Sequence, residues 1–138
     1  MPPYKNLKAW EHSQKLAVAC VKAARRFPDY EQDALADQLR RAAYSVPINI
    51  AEGSARRGSR DYKRFLDTAS ASLAEVETIL GIASELGYIA PAETKSLEEM
   101  TTEASKTLFG LLRKVGGEAQ KQGGVKQARG SLPDPGSR

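Results

Sequence analysis

Apolar positions recur along this chain at three- and four-residue steps in four separate stretches, and nowhere do they alternate like strand residues over a useful length. The third stretch is the most regular, with Tyr62, Leu66, Ala69, Leu73, Val76, Leu80, Ala83 and Gly87 in heptad register. Such a stripe predicts helices packed at shallow crossing angles. A first helix is expected from about Leu7 to Phe27, with Trp10, Ser13, Ala17, Cys20 and Ala24 on its apolar side and Pro28 and Asp29 as its stop. The second is expected from about Asp33 to Arg57 and the third from an N-cap at Ser59 to Gly87. Pro91 then opens a fourth, from about Ala92 to Val115. Short connections between four helices predict an all-α fold, an antiparallel up-and-down four-helix bundle.

The second helix breaks a rule. Its apolar side, Leu35, Leu39, Ala42, Ala43, Val46 and Ile50, encloses Pro47. An interior proline removes a backbone hydrogen bond and crowds the carbonyl four residues back, at a cost of about 3 kcal/mol. A kinked second helix is therefore expected. Ser45, Asn49 and Glu52 stand beside the bend and Arg41 lies on a nearby turn. A structural polar network of Arg41, Asn49 and Glu52 follows from that placement, with Glu75 or Glu77 meeting Arg41 across the bundle as a partly buried ion pair. Such a pair specifies helix register more than it adds stability.

After Gly116 and Gly117 the composition changes. Six glycines and two prolines fall in the last 23 residues, with little apolar content and a net charge of +2. The division expected is a bundle over 1–115 and a flexible Gly/Pro-rich tail over 116–138.

Charge sharpens the picture through its distribution. The overall balance is only +4, yet Arg40, Arg41, Arg56, Arg57, Arg60, Lys63 and Arg64 face only Glu52 and Asp61 in their segment, a local +5. From Asp67 to Glu103 eight carboxylates oppose Lys95 alone, a local −7. Arg56, Arg57, Arg60, Lys63 and Arg64 straddle the turn into the third helix, where cations oppose the helix macrodipole. Local stability does not select them there. With free N–H groups at a helix start they can hold phosphates without reading bases. The same cluster also suits a solvated turn or salt bridges to the acidic region of a neighbouring subunit. Tyr44, off the apolar stripe, suits an outer surface, and Tyr62, on it, suits the core.

Other chemistry finds little support. The one histidine, His12, has no Glu-x-x-His partner, so a bundle-borne di-metal site is not expected, and no metal or other cofactor is implied. The single cysteine, Cys20, excludes an internal disulfide and lies on an apolar helix side. Glu75 and Glu77, two apart on a helix, point in different directions and do not form a catalytic pair. No glycine-rich phosphate loop has the required spacing. With no catalytic or phosphate-loop constellation in sight, a protein that is not an enzyme is expected; no apolar run approaches the about 18 residues of a membrane span and the start lacks a secretory signal, which together suggest a cytoplasmic protein.

The string from Gln38 to Gly53, with Leu39, Arg41, Ala42, Ser45, Pro47, Asn49, Ile50, Ala51 and Glu52 at their spacings, closely resembles the signature of a four-helix-bundle family. That family is named for proteins encoded in intervening sequences of bacterial 23S rRNA genes. Val46 replaces the isoleucine of the family pattern. Leu7 with Trp10, Phe27-Pro28, Phe65-Leu66, Ser72-Leu73 with Glu75 and Glu77, and Leu86-Gly87-Tyr88 match in order, so the resemblance spans roughly residues 4–115. It implies a homopentameric ring and, by kinship with the accessory variability proteins of diversity-generating retroelements, a basic surface that binds RNA or DNA and a reverse transcriptase. Two functions follow as expectations. One is a non-catalytic oligomer gripping nucleic-acid phosphates through the basic turn. The other is an assembly scaffold or protein-partner adaptor with no direct nucleic-acid role.

Overall fold

The computed structural model describes the backbone of residues 3–127 and the side chains of residues 4–121. A short 3-10 turn, Pro3–Asn6, leads into α1, Lys8–Ala24, and a second such turn, Asp29–Glu31, leads into α2, Leu35–Ser54. Helices α3, Ser59–Glu85, and α4, Pro91–Gln127, complete the chain, and no strand occurs among the described residues. Each helix packs on its neighbours in sequence and α1 also packs on α4, while the diagonal pairs stay apart. This is the antiparallel up-and-down four-helix bundle that the periodicity predicts.

The core consists of the expected stripes, with a few additions. Leu16, Leu39, Val46, Ile50, Leu66, Val76 and Leu108 are among its fully buried side chains. Ile79, off the heptad series, is buried as well. Small residues such as Ala24, Ala36, Ala43, Ala69, Ala83 and Ala104 are buried throughout and keep the helices close. Among the glycines, Gly53 is the one packed tightly, where a Cβ would stand 2.8 Å from the Phe65 Cβ and 2.9 Å from Tyr62 Cδ1. Only glycine fits there.

The ends of the helices follow local chemistry. Gly87 adopts φ +78°, and the Gly87 and Tyr88 amides donate back to the Ser84 and Ala83 carbonyls at 3.0 and 2.9 Å, closing α3 with a Schellman motif. Gln32 latches the first connection by donating Nε2 to the Ala24 and Phe27 carbonyls, while Arg40 donates to the Gln32 carbonyl at 2.7 Å. Tyr88 donates to Glu31 at 2.8 Å and tilts its ring against Phe27, tying the α3–α4 connection to the α1–α2 connection.

Four expectations change. Helix α1 stops at Ala24, three residues short of Phe27, with Arg25 as its C-cap. Gly58, not Ser59, is the N-cap of α3, and the Ser59 hydroxyl instead donates to Glu118 of α4 at 3.2 Å. Helix α2 stops at Ser54, three residues short of Arg57, with Ala55 as its C-cap. Helix α4 does not stop at Val115 but runs through Gly116-Gly117 and Gly123-Gly124 to Gln127, and the burial of Val115 and Ala119, one turn apart, holds its first turn past the expected end. Gly116 and Gly117 cost such a helix about 1 kcal/mol each, which this burial offsets. The rest of the expected tail, 128–138, lies outside the described residues.

Candidate nucleic-acid interface

The turn between α2 and α3, residues 55–58, holds the basic cluster at one end of the bundle. Arg56 is partly engaged: its guanidinium lies over the Phe65 ring at 4.4 Å, and its Nε is 3.7 Å from Asp61. Lys63 donates to Asp67 one turn along α3 at 2.8 Å. Arg57, Arg60 and Arg64 are exposed, and among the described residues no ion pair engages them. Arg60, Lys63 and Arg64, at steps of three and four, share one face of α3.

The last third of α4 adds what the sequence reading missed. Arg113 stands across from that α3 face, and Arg60, Lys63, Arg64 and Arg113 line a groove of about 830 Å³ with Gly116 and Gly117. The Arg113 guanidinium rests over the Phe109 ring at 5.2 Å. Arg113 lies within the helix expected over 92–115, but nothing in its local sequence places it beside Arg60, Lys63 and Arg64, and Gly116 and Gly117 fell beyond the expected helix end. Tyr62 beneath the cluster is half-buried, and burial together with the Glu118 charge raises its phenol pKa. Phe65 is covered by Arg56. Tyr44 is exposed as expected, but on α2 it borders a different groove, with Pro47, Ile48 and Val18.

The structural polar network differs from the expected one. Arg41 donates Nε to Asp37 Oδ2 at 2.9 Å, and its side chain is 80% exposed, so it does not meet Glu75 or Glu77 in the protomer. A partner four residues away on the same helix wins because reaching it orders fewer side-chain torsions than a reach across the bundle. Glu52, Glu75 and Glu77 are exposed. Asn49 alone joins a network: its Nδ2 donates to the Ser45 carbonyl and hydroxyl at 2.8 and 2.9 Å, and the Ser72 hydroxyl of α3 meets that of Ser45 at 2.7 Å. The α2 helix is continuous through Pro47, and none of these bonds reaches the Ala43 carbonyl that proline deprives of its donor.

Cys20 is fully buried, and burial pushes its thiol up to about 12. His12 is half-exposed beside Lys15, Glu99 and Glu103. No group of three histidine, cysteine or carboxylate side chains that could hold a metal ion occurs among the described residues. No helix among them is long and apolar enough to cross a membrane.

Residues 5–110 match the family model described as 23S rRNA-intervening sequence protein. Among solved structures, the chain is similar to a crystal structure of a protein of unknown function from the S23 ribosomal protein family of Bacteroides thetaiotaomicron VPI-5482. The two are 24% identical with a TM-score of 0.68, over 75% of this chain and 97% of that one. At that identity the likeness is one of fold. No curated protein matches the chain.

Proposed function

The chain belongs to the 23S rRNA-intervening sequence protein family, and on that footing we propose that it is a non-catalytic, cytoplasmic, oligomeric bundle that binds RNA or DNA through phosphate contacts. The observation that carries this reading is the exposure of Arg57, Arg60 and Arg64 without ion-pair partners among the described residues, at the start of α3. Cations there work against the helix dipole, so a ligand of negative charge repays what local stability loses. Arg56 and Lys63 flank them and extend the positive surface.

Assembly is supported by two apolar exposures on opposite edges of the bundle. Val18, Tyr44 and Ile48 surround Pro47 on the α1–α2 edge, and Phe109, 60% exposed, borders a groove with Gly81 on the α3–α4 edge. Patches on opposite edges suit head-to-tail contacts that close into a ring, and the family resemblance gives five as its number. A ring repeats the basic surface and adds avidity. The second reading, an adaptor for a protein such as a reverse transcriptase, draws on the same apolar exposures.

Salt titration of binding to a random-sequence oligonucleotide separates the two. Phosphate binding predicts affinity that falls steeply with log salt as counterions are released. Absence of binding by the purified oligomer at low salt refutes the nucleic-acid reading.

A further inference from the structure

We infer that the groove between the start of α3 and the last third of α4 is a seat for the sugar-phosphate backbone of double-helical nucleic acid, with Arg113 opposite Arg60, Lys63 and Arg64 and the Gly116-Gly117 pair as its floor. The inference rests on the phosphate-binding reading and deepens it, since it names the form of the ligand and three residues outside the basic turn.

Two helices bring cations to opposite walls of one groove of about 830 Å³. The α3 wall carries three at steps of three and four, so their charges stack along one side. The α4 wall supplies Arg113, steadied by its position over the Phe109 ring. Between them the floor is bare of side chains at Gly116 and Gly117, with Ala119 and Gln120 lining the groove one turn farther along α4. A Cβ at Gly117 would meet nothing within 4 Å, and one at Gly116 would meet only the Lys63 Cε, at 3.8 Å. Helix packing therefore requires neither glycine, although each weakens the helix. What the missing side chains provide is room for another backbone to approach α4 closely.

The same groove is poor for single strands. Sequence-tolerant binding of a single strand draws on bases stacked against exposed aromatic rings. No aromatic side chain lines this groove: Phe109 is exposed but borders the neighbouring groove with Arg113 over its ring, Tyr62 is half-buried, and Phe65 is occupied by Arg56. A duplex keeps its bases inside and presents phosphates and sugars, which is what four cations over a bare floor can hold.

The test compares full-length wild type with Arg113→Ala, Gly117→Leu and, as control, Gly110→Leu, a glycine of α4 outside the groove with open space at its Cβ. Binding is measured by fluorescence anisotropy against RNA duplex, DNA duplex and an unstructured single strand of the same length, alongside thermal melting. Gly117→Leu is expected to melt higher than wild type through helix propensity, yet to bind duplex about tenfold more weakly, while Gly110→Leu also melts higher and binds normally. Arg113→Ala is expected to reduce the salt slope by about 1. The two duplex arms show which sugar the seat accepts. A preference for the single strand, or unchanged duplex binding by both Gly117→Leu and Arg113→Ala, overturns the groove. If Arg57→Ala, outside the groove, still weakens binding in that case, the broader phosphate reading survives. Failure of wild type to bind any oligonucleotide at low salt removes both.

Discussion

Gly53 on α2 faces Phe65 on α3 so closely that a Cβ at position 53 would stand 2.8 Å from the Phe65 Cβ. The glycine that ends the Gln38–Gly53 string is thus a packing requirement, set where two helices converge on the basic turn. Gly53→Ala gains about 1 kcal/mol in helix propensity but forces backbone apart at a well-packed contact, which costs about 1–3 kcal/mol, so a net loss of stability is expected. Gly81, mid-helix in α3 with open space around its Cβ, is the comparison. Gly81→Ala should raise the melting temperature where Gly53→Ala lowers it. Equal shifts in one direction would refute the close-contact account.

Ser45 and Ser72 join α2 to α3 by a hydroxyl pair at 2.7 Å, and Asn49 completes the cluster. This is the cross-helix polar contact of the bundle's middle, in the place where an Arg41 ion pair was expected. A double-mutant cycle with Ser45→Ala and Ser72→Ala should give a coupling energy of about 0.5–1.5 kcal/mol. A cycle of Arg41→Ala with Glu75→Ala should give close to none in the protomer. Urea unfolding of the four variants and their doubles measures both.

The fold was legible because helix period is written in single residues. The Tyr62 to Gly87 series fixes the α3 face, and Gly87 reads directly as the turn that ends it. Choices between competing partners were not legible. Arg41 has carboxylates available both on its own helix and on α3, and spacing alone does not rank Asp37 against Glu75. The same limit applies to α4: a glycine pair reads as a stop, and only the burial of Ala119 against the bundle shows why the helix goes on. The glycine floor of the candidate groove was hidden with it. Arg113 and Arg60 lie far apart in the chain, and a groove between two helices leaves no local pattern in either.

Cys20 provides a probe of opening. Its thiol, pushed by burial from an ordinary 9.0 to about 12, stays protonated and shielded in the folded state. Modification by a thiol reagent at pH 8 should therefore be limited by opening of the fold and run far below the rate of a free thiol. The sign with pH follows from linkage. Between about pH 9 and 12 the unfolded chain releases the thiol proton and the folded chain does not, so stability contributed by the neutral thiol declines as pH rises. Cys20→Ala should flatten the fall in stability over that window, whatever it does to stability at pH 7. An unchanged slope in urea titrations would refute the assignment.

If the proposed ring closes through the two exposed apolar edges, the way its assembly fails follows. Ile48→Glu places a charge on the α1–α2 edge and Phe109→Glu on the α3–α4 edge, and each alone should dissociate a head-to-tail ring. Each variant keeps one intact face. Mixing them should therefore form heterodimers and stop there, since one good interface joins the two and no second remains. Mass photometry or light scattering reads the result. Ring-sized species in the mixture, or in either variant alone, would refute this pairing of edges.

The cations of the basic turn are not equivalent, and binding should divide them. Arg56 lies on Phe65 and near Asp61, so Arg56→Ala removes packing as well as charge. Arg57, Arg60 and Arg64 are exposed, with no ion pair among the described residues, and since cations there oppose the α3 dipole their replacement by alanine should leave melting unchanged or raise it slightly. If each holds one phosphate of a duplex, each substitution should lower the slope of log affinity against log salt by about 0.9. The triple variant should then lose about 2.7 from the slope, while Arg56→Ala should lower the melting temperature and alter the slope less. Slopes that stay at the wild-type value in the triple variant would place the phosphate contacts elsewhere on the bundle.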